Sequence, residues 1–330
     1  MLAICSRSVS RNKEAVKILR KKFKKIKLNK SNKILSGSIL IKFIKDCEAI
    51  IIGLEKIDKN LLEQCPKLQY IGKYGVGTNN IQFNELKKKK IKIFLQSGVN
   101  KRSVSEITLS YIILGLRKIV NTINDVKKRK WPFIVGRELT KRKVGIIGIG
   151  NIGKDLVHIL KPFKCKIYCN DIKPDRRFYK KNGLKNYSLK KVLKSSEIIS
   201  IHIPLNEHNY NFISKNEFSL LKKEAILINT SRGGIVDEKA LYNFLKKNPL
   251  STAIFDVLKH EPPRNNKLLN LHNFILTPHI AGTTKESMRT ASIDCAIKLT
   301  KGIKKKLYKK KSNYNKWSRN QSEKYEKIIN

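Results

Sequence analysis

A glycine-rich turn between an apolar run and a helical segment constrains the fold of this chain more than any other feature. The run Lys143–Gly148 is apolar after its first residue, and glycines stand at positions 148, 150 and 153. In such a turn the first glycine permits a sharp bend, and the third allows a following helix to pack closely on the strand. The spacing therefore predicts a strand that leads into a helix, and with it an open parallel sheet.

The same turn predicts a dinucleotide site. The second glycine lets the backbone approach a pyrophosphate, whose charge the helix N-terminus favours. Asp171 ends the next apolar run, 18 residues after Gly153, where a carboxylate binds ribose hydroxyls and repels a 2′-phosphate. This favours NAD, although Lys173, Arg176 and Arg177 follow closely and could weaken the preference over NADP. A turn that serves only packing is the alternative, and the strand, helix and acid together argue against it.

Apolar runs and helical segments alternate through the rest of the chain. Residues 1–98 contain four strand candidates, which are Leu2–Cys5, Cys47–Ile52, Leu68–Ile71 and Ile91–Phe94. Six more follow, which are Val144–Gly148, Lys166–Asn170, Ile198–Ile203, Ala225–Asn229, Ala253–Asp256 and Phe274–Thr277. A long helix is predicted over Lys285–Lys304, with a frayed lysine-rich tail after it. The pattern predicts an α/β protein with two Rossmann-like or flavodoxin-like parallel-sheet domains. A cofactor domain (99–282) is inserted in a substrate domain (1–98 and 283–330).

At the start of the cofactor domain, the segment Ser103–Asp125 is predicted to form one helix. Ser103 and Glu106 have the spacing of a capping box. Apolar residues surround most of the circumference, so the helix must be covered on several sides. Burial within one domain and a subunit interface are both open explanations.

The charge is extreme, with 72 Lys+Arg against 25 Asp+Glu and a net charge of +47. A polyanion binder is one explanation. The other is compositional drift, because 58 of the basic residues are Lys and only 14 are Arg, and Lys, Ile and Asn share A/T-rich codons. Readers of specific DNA sequences favour Arg, and the basic residues here are spread along the chain. We therefore expect salt-dependent adhesion to polyanions and no specific nucleic-acid partner.

Cysteine usage and hydropathy indicate a cytoplasmic protein. The six cysteines form no Cys-x-x-Cys pair, so reduced, buried thiols are expected. A metal or redox role for Cys165 and Cys169 is a weaker alternative, and no metal site is expected. No apolar run is long enough to span a bilayer, and no basic residue precedes the apolar N-terminus as in a signal peptide.

Three further stretches each place one functional side chain just after a predicted strand. Arg232 follows Ile226–Asn229, Glu261 follows the strand that ends near Asp256, and His279 follows Thr277-Pro278. In open α/β sheets, ligands bind outside the carboxyl ends of the strands. Histidine suits proton exchange near neutral pH, a carboxylate can fix its tautomer, and a guanidinium can clamp a substrate carboxylate. Solvated surface residues are the alternative, as His260 is expected to be, but three matched residues at successive strand ends favour hydride transfer on a hydroxy acid.

Taken together, these motifs resemble the D-isomer-specific 2-hydroxyacid dehydrogenase family, in particular its phosphoglycerate dehydrogenase-like branch. The similarity covers about residues 45–300. The segments that carry it are Lys73–Asn79, Asn100–Glu106, Gly148–Gly153, His202–Leu205, Asn229–Asp237, Asp256 with Glu261-Pro262, and Pro278-His279.

The resemblance implies a role for each matching position. Arg232 binds the substrate carboxylate and carbonyl, Glu261 pairs with His279, and His279 is the acid/base. The cofactor residues would be Gly148, Gly150, Asn151, Ile152, Gly153, Asp171, His202, Pro204, Thr230 and Asp256, with Asp256 near the nicotinamide amide. The substrate residues would be Lys73, Tyr74, Gly75, Val76 and Gly77. Family members are commonly homodimers through the cofactor domain.

Two departures stand out: Lys73 replaces a frequent Arg and cannot form a bidentate fork, and Asn79 replaces a frequent Asp. Glu261 argues against a formate dehydrogenase, which carries Gln there. No C-terminal regulatory domain is expected.

The expected activity is NAD-dependent interconversion of a D-2-hydroxy acid and its 2-keto acid. The leading substrate is 3-phosphoglycerate of serine biosynthesis, with Lys73, Lys101 and Arg102 as phosphate ligands. Glycerate/hydroxypyruvate, lactate, or a non-catalytic NADH-sensing protein of the same fold are the alternatives.

Overall fold

The structure, a computed structural model, describes residues 1–31 and 33–304. It divides into two compact units. One comprises Met1–Asn100 together with the segment that begins at Thr284, and the other is the continuous stretch Lys101–Thr283. The tail after Lys304, which the sequence predicts to fray, lies outside the described residues. No helix within the described residues has the length and apolar content needed to cross a membrane.

The first unit is built on five parallel strands in the order β2-β1-β3-β4-β5, the flavodoxin-like arrangement. Its strands are β1 (Leu2–Ile4), β2 (Ile26–Leu28), β3 (Ala49–Ile52), β4 (Tyr70–Lys73) and β5 (Lys92–Phe94). The helices between them are α1 (Arg7–Arg11), α2 (Lys13–Arg20), α3 (Gly37–Ile44), α4 (Lys59–Glu63) and α5 (Phe83–Lys88). The four predicted strands are present, and β2 is an additional one.

The second unit contains six parallel strands in the order β11-β10-β9-β8-β6-β7. They are β6 (Lys143–Ile147), β7 (Lys166–Asn170), β8 (Ile198–Ile201), β9 (Ile226–Asn229), β10 (Thr252–Phe255) and β11 (Phe274–Leu276). The helices are α6 (Lys101–Arg117), α7 (Ile119–Lys127), α8 (Asn151–Leu160), α9 (Arg176–Asn182), α10 (Leu189–Ser195), α11 (Lys215–Phe218) and α12 (Glu238–Lys247). Short 3₁₀ helices span Lys161–Phe163, Glu207–Asn209 and Lys267–Asn270. The last helix, α13 (Lys285–Lys304), belongs to the first unit.

One additional parallel bridge, between Cys169 and Asn186, extends the second sheet beyond β7. If the segment at Asn186 is counted as the third strand of this unit in chain order, the sheet has the strand order of a dinucleotide-binding sheet. In such a sheet the direction of winding reverses between the first and fourth strands, here β6 and β8. The predicted fold class, two parallel-sheet α/β domains, is confirmed. Strands such as Ala49–Ile52 and Ile226–Asn229 are buried throughout, as expected for parallel sheets covered on both faces.

The prediction of a single helix over Ser103–Asp125 is wrong. Helix α6 begins at Lys101, so Ser103 lies within the helix and cannot cap it with Glu106. Helix α6 ends at Arg117, and the next residue, Lys118, adopts the left-handed conformation with φ of +50° and separates α6 from α7. Tyr111 and Leu116 of α6 are buried within the unit, whereas α7 has no buried residue. Burial therefore explains α6, and α7 is the part that remains open to a partner.

Candidate active site

Three neighbouring strands of the second sheet deliver the predicted catalytic side chains. Strands β9, β10 and β11 are adjacent and parallel, so their carboxyl ends lie along one edge. Arg232 follows β9, Glu261 follows β10 and His279 follows β11. The segment that contains His279 is anchored to the neighbouring strand, because the His279 N–H donates to the Asp256 carbonyl at 3.0 Å.

Glu261 and His279 form a hydrogen-bonded pair. His279 Nδ1 lies 2.6 Å from Glu261 Oε2, and the Leu258 N–H donates to Glu261 Oε1 at 2.9 Å. With the Nδ1 proton directed at the carboxylate, Nε2 is the nitrogen left for proton exchange. The side chains of His279 and Glu261 are 51% and 34% exposed, so a small molecule can reach them. This geometry is that of an acid/base histidine with a carboxylate that orients it.

Arg232 is held in a tight turn at the end of β9. The buried Asn229 side chain donates to the Arg232 carbonyl at 2.9 Å and accepts from the Ser231 N–H at 3.0 Å. One Arg232 guanidinium nitrogen donates to the Ser231 carbonyl at 2.6 Å, and a guanidinium has four further N–H donors. Burial lowers the pKa of Arg232 and the charge of Glu261 opposes that shift. The side chain remains a cation suited to a carboxylate.

A glycine brings the Arg232 turn against the segment that leads to Glu261. A Cβ at Gly233 would lie 2.0 Å from the backbone carbon and oxygen of Leu258. Because backbone atoms cannot rotate away, only glycine fits at this position. The N–H of Leu258 is the group that donates to Glu261, so this contact connects Arg232 to the Glu261–His279 pair through the backbone.

The glycine turn after β6 has the features expected of a dinucleotide loop. A Cβ at Gly153 would lie 2.2 Å from the Gly148 carbonyl, whereas one at Gly150 would meet no atom within 4 Å. The third glycine is therefore required for packing, and the second leaves room above the start of α8. Asp171, at the end of β7, accepts from the Ile149 N–H at 2.7 Å and from the Lys173 N–H at 2.7 Å. The residues present fit a nicotinamide dinucleotide.

Other residues predicted to hold the cofactor lie at the same edge. His202 follows β8, and its Nε2 is 2.8 Å from the Ser200 hydroxyl. Burial lowers the pKa of His202 to about 3, so the ring is neutral at working pH. Its enclosed Nδ1 has no partner among the described residues. Thr230, just after β9, is buried with its hydroxyl 3.3 Å from that of Thr108, and Pro204 is exposed.

The predicted substrate loop, Lys73–Gly77, lies in the first unit. The Lys73 ammonium is buried and donates to the carbonyls of Gly53 and Tyr74, both at 2.8 Å. The Gly75 N–H donates to the Gln96 side-chain oxygen at 2.7 Å. Within residues 1–31 and 33–304, the N–H groups of Val76 and Gly77 find no protein acceptor. The Lys73 side chain therefore stabilises the loop by bonding to its backbone and to Gly53. The N–H groups of Val76 and Gly77 are left to bind an anion.

Comparison with known proteins agrees with this architecture. The family model "D-isomer specific 2-hydroxyacid dehydrogenase, NAD binding domain" matches residues 109–281. A glyoxylate reductase from Thermococcus litoralis is 34% identical over 278 residues, which are 81% of this chain and 83% of that protein. The chain belongs to the D-isomer-specific 2-hydroxyacid dehydrogenase family. The family prediction is confirmed, and so is an NAD-dependent oxidoreductase.

Other 2-hydroxyacid dehydrogenases of the family differ in length and in name. A D-3-phosphoglycerate dehydrogenase from Methanocaldococcus jannaschii is 31% identical over 277 residues, which are 83% of this chain but only 53% of that protein. The crystal structure of D-lactate dehydrogenase from Aquifex aeolicus, complexed with NAD and lactic acid, has a TM-score of 0.80 and 27% identity. The match covers 93% of this chain and 96% of that one.

The sequence of this 2-hydroxyacid dehydrogenase did not predict the residues that hold the predicted site residues in place through hydrogen bonds. Gln96 bonds to the predicted site residue Gly75 and Thr277 bonds to Asp256, whereas Tyr111 bonds to Thr277; all three are half-buried or buried. Their partners lie far away in the chain, so no local spacing reveals them. Arg102, expected to contact phosphate, instead pairs with the buried Asp155 at 3.1 Å.

Proposed function

We propose that the chain interconverts a small D-2-hydroxy acid and its 2-keto acid, with His279 as the acid/base. The observation that carries this proposal is the 2.6 Å contact between Glu261 and His279 next to the Arg232 turn. Bound NAD supplies the hydride acceptor, and its reduced form the donor. In oxidation His279 Nε2 accepts the hydroxyl proton as C2 loses hydride, and in reduction it returns that proton to the carbonyl oxygen. Arg232 orients the carboxylate.

A second part of the proposal concerns the loop Lys73–Gly77 of the first unit. We propose that the backbone N–H groups of Val76 and Gly77 bind the substrate carboxylate, because they have no protein acceptor in the described chain. The loop remains the proposed substrate segment, with Lys73 and Tyr74 shaping it. On this proposal Met1–Asn100 and α13 form the substrate domain.

Among the substrates, we favour an unphosphorylated acid such as glyoxylate or hydroxypyruvate. Two of the three basic residues offered for a phosphate, Lys73 and Arg102, are bonded within the protein. The relative named glyoxylate reductase also aligns over most of its length. The second candidate is 3-phosphohydroxypyruvate, supported by the relative named D-3-phosphoglycerate dehydrogenase. That substrate would place the protein in serine biosynthesis.

The test is NADH oxidation by the purified chain at moderate salt, against glyoxylate, hydroxypyruvate, 3-phosphohydroxypyruvate and pyruvate. We expect turnover with the first two. His279→Asn should lower kcat by roughly 10²–10⁴-fold with NADH affinity retained, because it removes the general acid. His260→Asn, which changes an exposed neighbouring histidine, should retain kcat.

Several outcomes would count against the proposal. A near-normal kcat in His279→Asn would contradict the mechanism. A clear preference for the phosphorylated acid would select the second candidate. NADH binding without turnover on any acid would favour an NADH-sensing protein.

A homodimer and a cytoplasmic location are the remaining proposals. The apolar surface formed by Ile123, Val126, Trp131, Phe133 and Val135 supports the first, since the last three side chains are 77–95% exposed. Several large exposed apolar side chains within one short segment commonly indicate a protein interface. We propose that a second copy of the chain covers this surface.

A further inference from the structure

A single buried carboxylate organises the backbone around His279. Asp256 is 1% exposed, and its Oδ1 accepts from the Thr277 hydroxyl at 2.5 Å and from the Ile280 N–H at 2.8 Å. Its Oδ2 accepts from the Ala281 N–H at 2.7 Å. The Asp256 carbonyl also accepts from the His279 N–H. One residue therefore binds the backbone at His279 and at both residues that follow it.

Tyr111 extends this network to a different element. Its hydroxyl lies 2.5 Å from the Thr277 hydroxyl, and the side chain is 3% exposed. Thr277 has one hydroxyl proton, which points to the Asp256 carboxylate, so Tyr111 must be the donor to Thr277. Burial raises the pKa of Tyr111 to about 12; the Thr277 bond opposes the rise and the Asp256 charge adds to it. Tyr111 therefore keeps its proton at working pH.

The backbone at His279 needs such support. His279 has a φ of +55°, a region that residues with a Cβ adopt only when their surroundings hold them there. Tyr111 lies near the middle of α6, which packs on α8 and on strands β9 and β10. The network thus attaches the turn at His279 to a long, packed helix.

We propose that Tyr111 and Thr277 are positioning residues, which fix Asp256 and through it the imidazole of His279 for proton exchange. This inference rests on the proposed function, because it assumes that His279 exchanges the proton. The two hydroxyls contact neither Glu261 nor Arg232. They act by setting the position of Asp256, on which the turn at His279 depends.

The test compares Tyr111→Phe, Thr277→Val and the double variant with wild type, using Thr277→Ser as the conservative variant. Small errors in the placement of a catalytic group lower the rate of the chemical step steeply, so we expect kcat to fall roughly tenfold in each single variant. KM and the Kd for NADH should change by less than about twofold, since neither Tyr111 nor Thr277 is one of the predicted substrate or cofactor residues. Thr277→Ser should recover most of the kcat. The double variant should be no slower than Thr277→Val, because the two hydroxyls act as a unit.

Tyr70→Phe is the matched control, because it removes a hydroxyl from a similarly buried tyrosine, 6% exposed, in the other unit. The inference is overturned if Tyr111→Phe keeps the wild-type kcat, if the loss appears in KM or NADH affinity, or if Tyr70→Phe loses as much.

A second readout does not depend on turnover. The NMR signal of the His279 ring, assigned by its disappearance in His279→Asn, should shift in Tyr111→Phe and not in Tyr70→Phe. An unshifted signal overturns the inference. A wild-type protein that is inactive on every acid would instead refute the proposed function, and the ring signal would still report whether Tyr111 positions His279.

Discussion

Glu261 is the residue on which the local chemistry depends most directly, because each of its oxygens has a different task. Oε2 orients the His279 ring, and Oε1 accepts from the Leu258 N–H. The backbone of Leu258 also contacts Gly233, next to Arg232. A change at this carboxylate therefore affects both the tautomer of His279, the proposed acid/base, and the backbone beside Arg232.

We expect Glu261→Gln to lower kcat strongly although the two side chains have the same shape. Glutamine has one acceptor oxygen and one donor group, whereas two donors, the Leu258 N–H and the His279 Nδ1–H, point at Glu261. Either one of these donors loses its acceptor, or the glutamine amide donates to His279 Nδ1. In the second case Nε2 carries the ring proton and cannot accept a proton from the substrate hydroxyl. Because the geometry stays intact, the loss should be roughly 10²–10⁴-fold in kcat, with NADH affinity unchanged.

Steady-state kinetics and an NADH titration check this. Glu238→Gln is the matched control, because Glu238 also accepts from a backbone N–H, that of Lys259 at 2.7 Å, but orients no histidine. A Glu261→Gln protein with the wild-type kcat would show that the carboxylate does not orient the base.

The sequence was sufficient to predict that Arg232, Glu261 and His279 follow adjacent strands of one sheet, because each comes after an apolar strand whose end is easy to recognise. It was insufficient for Lys73, whose ammonium donates to the carbonyl of Gly53 on a neighbouring strand end. The sequence was also insufficient to predict that Asp256 binds the backbone next to His279, because its partners are the N–H groups of Ile280 and Ala281. Bonds to backbone groups leave no trace in residue types, so residue spacing cannot reveal them.

Among the elements, the junction of β5 with α13 holds the first unit together at a point that the sequence does not mark. The Gln96 side chain, 6% exposed, follows β5 and donates to the Ala291 carbonyl at 2.6 Å and to the Asp294 carboxylate at 3.0 Å. Its oxygen accepts from the Gly75 N–H. One amide therefore joins the loop after β4, the end of β5 and the last helix, which are far apart in the chain.

Gln96→Leu should destabilise the protein by roughly 1–3 kcal/mol, because the substitution leaves the half-buried Gly75 N–H, the Ala291 carbonyl and the Asp294 carboxylate without this partner. Urea denaturation of the full chain measures the loss as a lower midpoint. Gln64→Leu is the control, since that exposed amide bonds to Asn60 of its own turn. It should change stability by less than about 0.5 kcal/mol. Equal midpoints for the two variants would mean that Gln96 does not stabilise the junction.

The elements themselves were largely predictable, with two instructive exceptions. The predicted strands are mostly continuous, Ile-rich apolar runs, the pattern that buried parallel strands require. Strand β2 was missed because it is three residues long and follows a lysine-rich stretch. The break between α6 and α7 was missed because Lys118 adopts a left-handed conformation that its residue type does not predict.

For the whole molecule, charge and apolar surface act in opposite directions on association. Each chain carries a net charge of +47, and Lys127–Lys130 is a continuous basic run between Val126 and Trp131 of the exposed apolar surface. Two copies that meet through this surface gain from the burial of apolar side chains. They also repel each other electrostatically, and salt screens that repulsion. Adhesion to a polyanion depends on salt in the opposite sense.

A homodimer through this surface should therefore strengthen as salt rises. Light scattering on the purified chain should give a mass nearer twice 38.0 kDa at 300 mM salt than at 50 mM salt. Trp131→Glu combined with Phe133→Glu should give a monomer at both salt concentrations, because each substitution places a charge where the partner's apolar side chains would pack. Ile39→Glu changes a side chain that is also exposed, 66%, but lies on α3 of the other unit, and it should leave the mass unchanged. A mass that falls with salt in wild type would indicate charge-driven association through a polyanion. A dimer that survives the paired substitution would place the interface elsewhere.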